Sequence, residues 1–256
     1  MDNKNLFNLE GKIALITGAS RGIGKACAQL LALQGATVII SSRKQEACDA
    51  VADEIKAAGG KAHGLACHLG EMDAIESLWA TIEEKFGKLD ILVNNGATNP
   101  HFGPIYDTDL GAFQKTVDVN IRGYFYMCAH GSKLMGKNGG GTIINVASVN
   151  GEVPGLFQGI YSITKAAVIS MTKAYAKECA PMNVRVNAIL PGATDTKFAS
   201  ALVQNEAILK PLLEHVPMRR VAAPEEMSGT ILYLSSEAST YTTGACINVD
   251  GGYLTA

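Results

Sequence analysis

Near the start of the chain stands the segment Ile13-Ala14-Leu15-Ile16-Thr17-Gly18-Ala19-Ser20-Arg21-Gly22-Ile23-Gly24. Its first four residues are apolar and have the length of a strand buried on both faces. The glycines that follow favour a tight turn, close approach of backbone N–H groups to a phosphate, and close packing of the next helix. The positive end of that helix, predicted over about 22–34, would face the same phosphate. A purely structural turn between strand and helix is the alternative interpretation.

The same alternation of strand and helix continues along the rest of the chain. Further helices are predicted over about 45–58 and 73–86. Further apolar runs of strand length lie at 38–40, 63–67, 89–93, 142–146, 184–190 and 245–249. Strands that alternate with helices form right-handed crossovers and a parallel sheet. The sequence therefore predicts an α/β fold, a single doubly wound Rossmann-type domain over residues 1–256, with a seven-stranded parallel sheet and helices on both faces.

Composition and charge narrow the possible partners and the compartment. The 256 residues are 47% hydrophobic and 18% charged, with a net charge of −2. A chain without a basic excess is not expected to bind nucleic acid or an acidic membrane surface. The six cysteines form no CxxC pair and the histidines no HExxH motif, so neither a disulfide framework nor a metal is expected. With no signal-peptide pattern and no apolar run of ~18 residues, the predicted compartment is the cytoplasm.

The end of the second strand indicates which dinucleotide the glycine turn would bind. Dinucleotide-binding domains that use NAD place an acid about 20 residues beyond the glycines, where it holds the ribose hydroxyls. This chain has Ser42, Arg43 and Lys44 there instead. A guanidinium group attracts a 2′-phosphate, and Arg21 in the turn could approach the same group. The sequence predicts NADP(H) in preference to NAD(H), unless Arg43 and Lys44 are merely solvated.

A tyrosine and a lysine at helical spacing form the candidate catalytic pair. Tyr161 and Lys165 are four residues apart and would share one face of a helix. A free phenol has a pKa near ~10, too high for efficient acid–base catalysis at neutral pH. The neighbouring ammonium is expected to lower that pKa, so that Tyr161 exchanges a proton with a substrate oxygen. Taken alone, the pair would be an ordinary helix surface.

Polar residues elsewhere strengthen the interpretation of this pair. Ser148 follows the fifth predicted strand, and Asn95 follows the fourth, so both lie at the sheet edge where such folds bind ligands. Asn120 lies within a predicted helix, which is locally unfavourable and indicates a bend or a polar role. A surface or capping asparagine is the alternative.

Together these residues resemble the short-chain dehydrogenase/reductase family. The motifs that carry the resemblance are Thr17-Gly18-xxx-Gly22-Ile23-Gly24, Asn94-Asn95, Asn120, Ser148, Tyr161-xxx-Lys165 and Pro191-Gly192. The resemblance covers nearly the whole chain and implies a catalytic tetrad. In it Tyr161 is the general acid–base, Ser148 orients the substrate oxygen, Lys165 binds the nicotinamide ribose, and Asn120 holds a water that connects Lys165 to solvent.

The resemblance also implies further contacts and an assembly. Pro191, Gly192 and Thr194 would lie on the nicotinamide side, with Thr196 near the carboxamide or phosphates. The predicted cofactor contacts are Gly18, Ser20, Arg21, Ile23, Gly24, Ser42, Arg43, His68, Leu69, Asn95, Tyr161, Lys165, Pro191, Gly192, Thr194 and Thr196. Family members are usually homotetramers or homodimers, packed through the helices that carry Asn120 and Tyr161.

Two positions depart from the family pattern. The usual Asn-Asn-Ala-Gly is here Asn94-Asn95-Gly96-Ala97, which keeps small residues beside the cofactor. The usual aspartate after the third strand is replaced by His68, which is expected to stack near the adenine or hydrogen-bond it. Within the family the chain most resembles NADPH-dependent carbonyl and retinal reductases, with 3-oxoacyl-acyl-carrier-protein reductases and gluconate-type dehydrogenases also similar.

The segment 192–223 is the predicted substrate lid. Its apolar residues include Phe198, Leu202, Ile208, Leu212, Leu213 and Met218. An amphipathic helix that covers the core is the alternative. Further candidates for the pocket wall are Val153, Leu156, Phe157, His101, Phe102 and Met182. An apolar pocket indicates a medium-sized ketone or aldehyde.

The sequence thus predicts an oxidoreductase that transfers a hydride between NADP(H) and a ketone, aldehyde or secondary alcohol, a small-molecule substrate. One alternative is an NAD-dependent sugar or polyol dehydrogenase, which Arg43 argues against. Others are a non-catalytic sensor of redox state and a methyltransferase that binds S-adenosylmethionine. Neither would have a use for Tyr161.

Overall fold

The computed structural model of the protein describes residues 5–203 and 205–255. Within these residues seven strands form one parallel sheet, in the order β3-β2-β1-β4-β5-β6-β7. The strands are β1 (Ile13–Thr17), β2 (Thr37–Ser42), β3 (Lys61–Ala66), β4 (Ile91–Asn94), β5 (Gly141–Val146), β6 (Val184–Pro191) and β7 (Cys246–Val249). This is the predicted doubly wound sheet, and all seven predicted strands are present.

Helices cover both faces of the sheet. They are α1 (Gly22–Leu33), α2 (Gln45–Ala57), α3 (Met72–Phe86), α4 (Leu110–Val117), α5 (Tyr124–Lys137), α6 (Gly159–Cys179), α7 (Ser200–Val203), α8 (Glu206–Glu214) and α9 (Ser228–Ser235). One apolar core joins α3, α5 and α6 to the sheet, and a second joins α1, α2 and α9 to its other face. Alternate strand residues enter alternate cores: Leu15 lies in the first and Ile16 in the second. Both faces are buried, as the continuous apolar runs predicted.

The strand order reverses between β1 and β4, and this position defines the ligand crevice. Open parallel sheets bind ligands outside the carboxyl ends of their strands where the order reverses. The glycine turn follows β1 at this edge, and Asn95 follows β4. Ser148 comes two residues after β5, at the same edge. The topology therefore brings the predicted motifs to one side of the sheet.

Other features of the described residues bear on cysteines, metals and membranes. All six cysteines are free, and five of them are buried. Among residues 5–203 and 205–255, no group of three or more His, Cys, Asp or Glu side chains is placed to hold a metal ion. No helix in this part of the chain is both long and apolar enough to cross a membrane.

Candidate active site

Close packing explains the glycines of the turn after β1. Gly18 has a φ of 63°, and a Cβ there would lie 2.6 Å from the Cα of Gly96. A Cβ on Gly24 would lie 2.6 Å from Nδ2 of Asn95 and 2.7 Å from the Gly18 carbonyl oxygen. Gly22 also has a positive φ, of 55°, beside the Thr196 methyl group. The turn admits no side chain at these positions, so its backbone can approach a ligand closely.

Asn95 holds this turn in place from the neighbouring strand. Its Nδ2 donates to the carbonyl oxygens of Thr17 at 2.9 Å and Gly18 at 3.2 Å. Its backbone N–H donates to Oγ1 of Thr17 at 2.9 Å. The sequence predicted Asn95 as a cofactor contact, and the structure gives its side chain a role in fixing the cradle.

The start of α1 is open to an anion. Arg21 occupies the N-cap position and provides no side-chain hydrogen bond to the first turn. The first N–H groups of a helix have no intrahelical partner and carry the positive end of its dipole. A cradle closed to any Cβ and followed by such a helix start fits the pyrophosphate of a dinucleotide. Ser20 and Ile23, two further predicted contacts, are both partly buried in this turn.

Cations lie where the second ribose of a dinucleotide would be expected. Arg43 directly follows β2 and is exposed, as is Arg21. Neither guanidinium makes a hydrogen bond or an ion pair with any other residue in the described ranges. Ser42 is turned toward Cys48, with Oγ and Sγ 3.3 Å apart. Two unpaired cations beside an anion cradle are suited to an additional phosphate.

The loop after β3 forms the next part of the same edge. Nδ1 of His68 accepts a hydrogen bond from the Gly70 backbone N–H at 3.1 Å, so its proton is assigned to Nε2. Leu69 is 7% exposed, and its Cδ1 would contact a Cβ placed on Gly96 at 3.0 Å. The absence of a Cβ at Gly96 therefore makes room for Leu69, which accounts for one departure from the usual family motif.

Tyr161 and Lys165 lie in the first part of α6, as predicted, and both are buried. Tyr161 is 8% exposed and Lys165 is 1% exposed. Nζ of Lys165 donates to the carbonyl oxygen of Val146 at 2.7 Å and lies 5.5 Å from the centre of the Tyr161 ring. Lys165 pairs with no carboxylate of residues 5–203 or 205–255. The alternative of an ordinary helix surface is therefore wrong.

Burial dominates the ionisation of both groups. It lowers the pKa of the Lys165 ammonium from 10.5 to about 7. It raises the pKa of the Tyr161 phenol, while the neighbouring Ser148 hydroxyl acts in the opposite direction. In the protein alone the net shift of the Tyr161 pKa is upward, because burial outweighs the Ser148 hydroxyl. A lowering of this pKa by Lys165 stays a prediction. A ligand that brings positive charge to the crevice would favour the phenolate.

Ser148 lies beside Tyr161 at the end of β5. It is 8% exposed and has an extended backbone with a φ of −174°. Its Oγ accepts a hydrogen bond from the Asn150 backbone N–H at 3.1 Å, which begins a short 3₁₀ turn, Val149–Gly151. This bond fixes the hydroxyl and leaves its proton free to bond an oxygen near Tyr161.

Asn120 lies in a π turn, Asp118–Gly123, between α4 and α5. The local bend predicted from a mid-helix asparagine is thus confirmed, and because Asn120 is fully buried the alternative of a surface residue is wrong. Its side chain bonds both the N–H and the carbonyl of Thr98 at 2.9 Å, and donates to Oγ1 of Thr164 at 3.1 Å. Thr164 precedes Lys165, so the bond to Thr164 joins the π turn to α6.

Tyr124 also contacts Lys165 and is not among the residues predicted from the sequence. This residue begins α5, is fully buried, and has its ring centre 5.1 Å from Nζ of Lys165. Its hydroxyl lies 3.5 Å from the Val146 carbonyl oxygen, which also accepts from Lys165. The sequence carried no periodic signal for it, because the π turn between Asn120 and Tyr124 departs from regular α-helical spacing.

The segment after β6 runs over the glycine turn. Pro191 is the last residue of β6, and a Cβ on Gly192 would lie 2.8 Å from the Asp250 Cα. Thr194 is buried, and its hydroxyl donates to the Gly192 carbonyl oxygen at 3.0 Å. The methyl group of Thr196 would lie 3.2 Å from a Cβ on Gly22. Thr196 thus brings this segment beside the glycine turn, and the predicted contacts of the other three residues with the cofactor stay predictions.

One exposed aromatic side chain contacts Tyr161, and other predicted pocket residues are exposed elsewhere in the described structure. The Phe198 ring packs against the Tyr161 ring with centres 5.6 Å apart, and Phe198 is 49% exposed. Phe102 and Phe157 contact each other edge to face, and Gly103 donates to the Phe157 carbonyl. His101 instead bonds the Pro104 carbonyl through Nε2, at 3.0 Å. Val153, Leu156 and Met218 are also exposed.

Helix α8 and Met182 bear on the predicted lid and pocket. Helix α8 buries none of its residues, including Ile208, Leu212 and Leu213, which argues against a helix that covers the core. The side chain of Leu202 lies outside the described residues. Met182 was wrongly assigned to the pocket: it packs against Gly136 before the start of β6, at the opposite edge of the sheet. Helix α6 spans 21 residues and carries the chain from one edge to the other.

Comparison with known proteins identifies the family. A family model described as "Enoyl-(Acyl carrier protein) reductase" matches residues 18–254. The chain is 37% identical over 244 residues to "Dehydrogenase/reductase SDR family member 4" of Oryctolagus cuniculus, covering 95% of this chain and 94% of that protein. It is 40% identical over 247 residues to a 3-oxoacyl-[acyl-carrier-protein] reductase of Synechocystis sp., covering 95% and 97%.

A solved structure agrees with these relatives. The gluconate 5-dehydrogenase of Burkholderia cenocepacia J2315, determined with NADP and tartrate, superposes with a TM-score of 0.95 at 30% identity, covering 98% of both chains. The chain belongs to the short-chain dehydrogenase/reductase family. It is an NAD(P)-dependent oxidoreductase that acts on small molecules.

Proposed function

We propose that the protein is an NADP(H)-dependent carbonyl reductase with Tyr161 as its general acid–base. The observation that carries this proposal is the buried arrangement of Tyr161, Lys165 and Ser148, beside an anion cradle flanked by the unpaired cations Arg21 and Arg43. A cofactor-binding sensor of redox state would need the cradle but not a buried acid–base group. A sugar dehydrogenase would be expected to have polar side chains around Tyr161, where this chain has Phe198.

The catalytic side chains divide the reaction between them. Bound NADP(H) supplies or accepts the hydride. The Ser148 hydroxyl holds the substrate oxygen, and the Tyr161 phenol donates a proton to that oxygen during reduction or removes one during oxidation. The Lys165 ammonium favours the phenolate and has two donors left after its bond to Val146, which suit ribose hydroxyls. The crevice keeps these groups away from bulk water.

Asn120 supports proton exchange by its position in the π turn. Its side-chain oxygen and nitrogen are already engaged by Thr98 and Thr164. We therefore propose that the water connecting Lys165 to solvent binds the backbone carbonyl of Asn120. In a π turn the backbone carbonyls depart from the regular α-helical hydrogen-bond pattern. A substitution of Asn120 that preserves the π turn should then preserve proton exchange through this water.

The preference for NADP(H) rests on the charges at the end of β2. Arg43 and Arg21 are free to bond a 2′-phosphate through their guanidinium groups. His68 has an Nε2 proton available for the adenine. The name of the matched gluconate dehydrogenase structure, which contains NADP, is consistent with this preference.

The substrate proposed is an uncharged, apolar ketone or aldehyde. Phe198 offers aromatic surface beside Tyr161, and Phe157 and Phe102 form a second aromatic pair; all three are more than one-third exposed. Exposed apolar groups that gather at a crevice mark a ligand site. We take residues 192–223 as a lid on the single domain 1–256, with Phe198 as the part that meets Tyr161.

We also propose that the chain assembles as a homotetramer or homodimer in the cytoplasm. Helices α4, α5 and α6 expose large apolar residues on the side away from the sheet, among them Phe113, Phe125, Tyr126 and Ile163. Such patches are typical of association surfaces. Six free cysteines suit a reducing compartment. Light scattering of the purified protein measures the mass, and a monomer would contradict the assembly.

A substrate screen tests the proposed activity. The purified protein is mixed with NADPH and a panel of aromatic and aliphatic ketones, and in parallel with NAD⁺ or NADP⁺ and a panel of polyols. Loss of reduced nicotinamide with apolar ketones is expected. Turnover of polyols with NAD⁺ alone would favour the sugar dehydrogenase, and tight NADPH binding without turnover of any substrate would favour the sensor.

A further inference from the structure

Lys165 lies between two tyrosine rings. Its Nζ is 5.1 Å from the ring centre of Tyr124 and 5.5 Å from that of Tyr161. A cation within about 6 Å of a ring centre is attracted to the ring face. Within the described residues its hydrogen-bond acceptor is the Val146 carbonyl oxygen, to which Nζ donates at 2.7 Å. A buried ammonium without a carboxylate therefore depends on one carbonyl and two aromatic rings.

The two rings are not equivalent. Tyr161 contacts Phe198, retains some exposure, and is the residue proposed to meet the substrate. Tyr124 is completely buried at the start of α5, and its hydroxyl lies against the same Val146 carbonyl oxygen at 3.5 Å. Substrate and solvent do not reach Tyr124, so its position stays constant while Tyr161 reacts.

The π turn accounts for the position of Tyr124. Gly123 ends that turn, and a Cβ there would lie 2.5 Å from the Leu69 carbonyl oxygen, so α5 starts in tight contact with the loop after β3. Both Asn120 and Tyr124 are fully buried on the side facing α6. The turn thus directs one residue to Thr164 and the other to Lys165.

Few other charged or titratable groups lie close to Tyr124 and Lys165. The groups that influence the ionisation of Tyr124 are Tyr161 on α6 and Cys128 on α5. From β5 the neighbours are the Val146 carbonyl and, beyond the strand, the Ser148 hydroxyl beside Tyr161. Within residues 5–203 and 205–255, no carboxylate and no second cation pairs with Lys165. The contribution of the two rings to the stability of the charged Lys165 ammonium is therefore not masked by a nearby charge.

We propose that Tyr124 is a positioning residue of the active site, whose ring is the fixed half of an aromatic clamp, Tyr124 and Tyr161, around the Lys165 ammonium. Tyr124 acts only through Lys165 and contacts neither substrate nor cofactor. Its catalytic consequence rests on the proposed function, in which charged Lys165 supports Tyr161. The clamp favours the charged form of Lys165 against the cost of burial.

The titration of Lys165 in the cofactor-free protein tests the clamp directly. The protein is labelled with ¹³C- and ¹⁵N-lysine, and the Lys165 resonance is identified by its loss in Lys165→Met. The ringless variants Tyr124→Leu and Tyr124→Met are expected to lower the titration midpoint of Lys165 by about one pH unit. Tyr124→Phe keeps the ring and should leave the midpoint within ~0.3 units of the wild type.

A tyrosine on the other face of the sheet provides the control. Tyr233 on α9 bonds Thr242 through its hydroxyl and belongs to the second core, so Tyr233→Leu removes a ring without touching the clamp. Its Lys165 midpoint should equal that of the wild type. An unchanged or raised midpoint in the folded ringless variants would overturn the proposal, and so would a shift in Tyr124→Phe equal to theirs.

Enzyme assays separate this proposal from the proposed function. With NADPH and a ketone, the loss of kcat at high pH should begin about one unit lower in Tyr124→Leu, and Tyr124→Phe should restore the wild-type profile. If the wild type turns over no ketone but the resonance shifts as expected, the clamp stands and the reductase assignment fails. If ketones are reduced and the resonance does not move, the reductase assignment stands and the clamp fails.

Discussion

Removal of the buried lysine should change how the stability of the cofactor-free protein depends on pH. Burial lowers the pKa of Lys165 from 10.5 to about 7, while an unfolded chain restores the ordinary value. Between these values unfolding takes up a proton, so raising the pH stabilises the folded wild type. Lys165→Met has no such group and lacks this dependence.

The magnitude follows from the two pKa values. A lowering from 10.5 to about 7 corresponds to ~5 kcal/mol when Lys165 is fully protonated in both states. From pH 7 to pH 9 the unfolding free energy of the wild type should rise by ~2 kcal/mol relative to Lys165→Met. Other titrating groups are common to both proteins and cancel in this difference.

Urea unfolding measures the effect. Both proteins are unfolded without cofactor at pH 7, 8 and 9, at one protein concentration, and the free energies are extrapolated to water. Lys173→Met is the matched control, because Lys173 is exposed on the same helix. The difference in unfolding free energy between Lys173→Met and the wild type should not vary with pH. A difference for Lys165→Met that also stays constant between pH 7 and 9 would refute the reasoning.

Three further variants test the cradle, the charges and the acid–base group. Tyr161→Phe should lower kcat for ketone reduction by about 100-fold or more while NADPH affinity, measured by fluorescence titration, stays unchanged. Arg43→Ala should raise the KM for NADPH about tenfold and leave the KM for NADH unaltered. The control Lys56→Ala removes an exposed cation that is paired with an acid on α2, and it should alter neither KM. Gly24→Ala should cost ~1–3 kcal/mol in urea unfolding and weaken NADPH binding, because its Cβ would meet Asn95 at 2.6 Å. Gly229→Ala, in a helix with open space around it, should have neither effect.

The fold was predictable because its pattern is local. Apolar runs such as 13–16 and 184–190 form strands buried on both faces, and the glycines after β1 mark the turn. The edge that carries Ser148 then followed from topology alone. Met182 could have been excluded by the same logic, since a helix of about 20 residues is as long as a small domain is wide.

The electrostatics of the site could not be predicted in this way. The four-residue spacing placed Lys165 beside Tyr161, but the pKa of each group depends on how much water the surrounding elements exclude. The π turn could not be predicted from the sequence either, because a single π turn leaves no periodic pattern of residues. Tyr124 was missed because its role depends on that turn.

One feature that costs free energy in the isolated protein, the buried charge of Lys165, lies where the proposed cofactor would relieve it. Lys165 is buried, and no carboxylate of the described residues pairs with it, whereas Arg21 and Arg43 beside the glycine turn are exposed. Phosphates would occupy the cradle and bond the guanidinium groups, and ribose hydroxyl oxygens would accept hydrogen bonds from the remaining N–H groups of Lys165. A site organised in this way is completed by binding. We therefore expect cofactor binding to stabilise the protein most near pH 7 and below, where the charge of buried Lys165 is most costly.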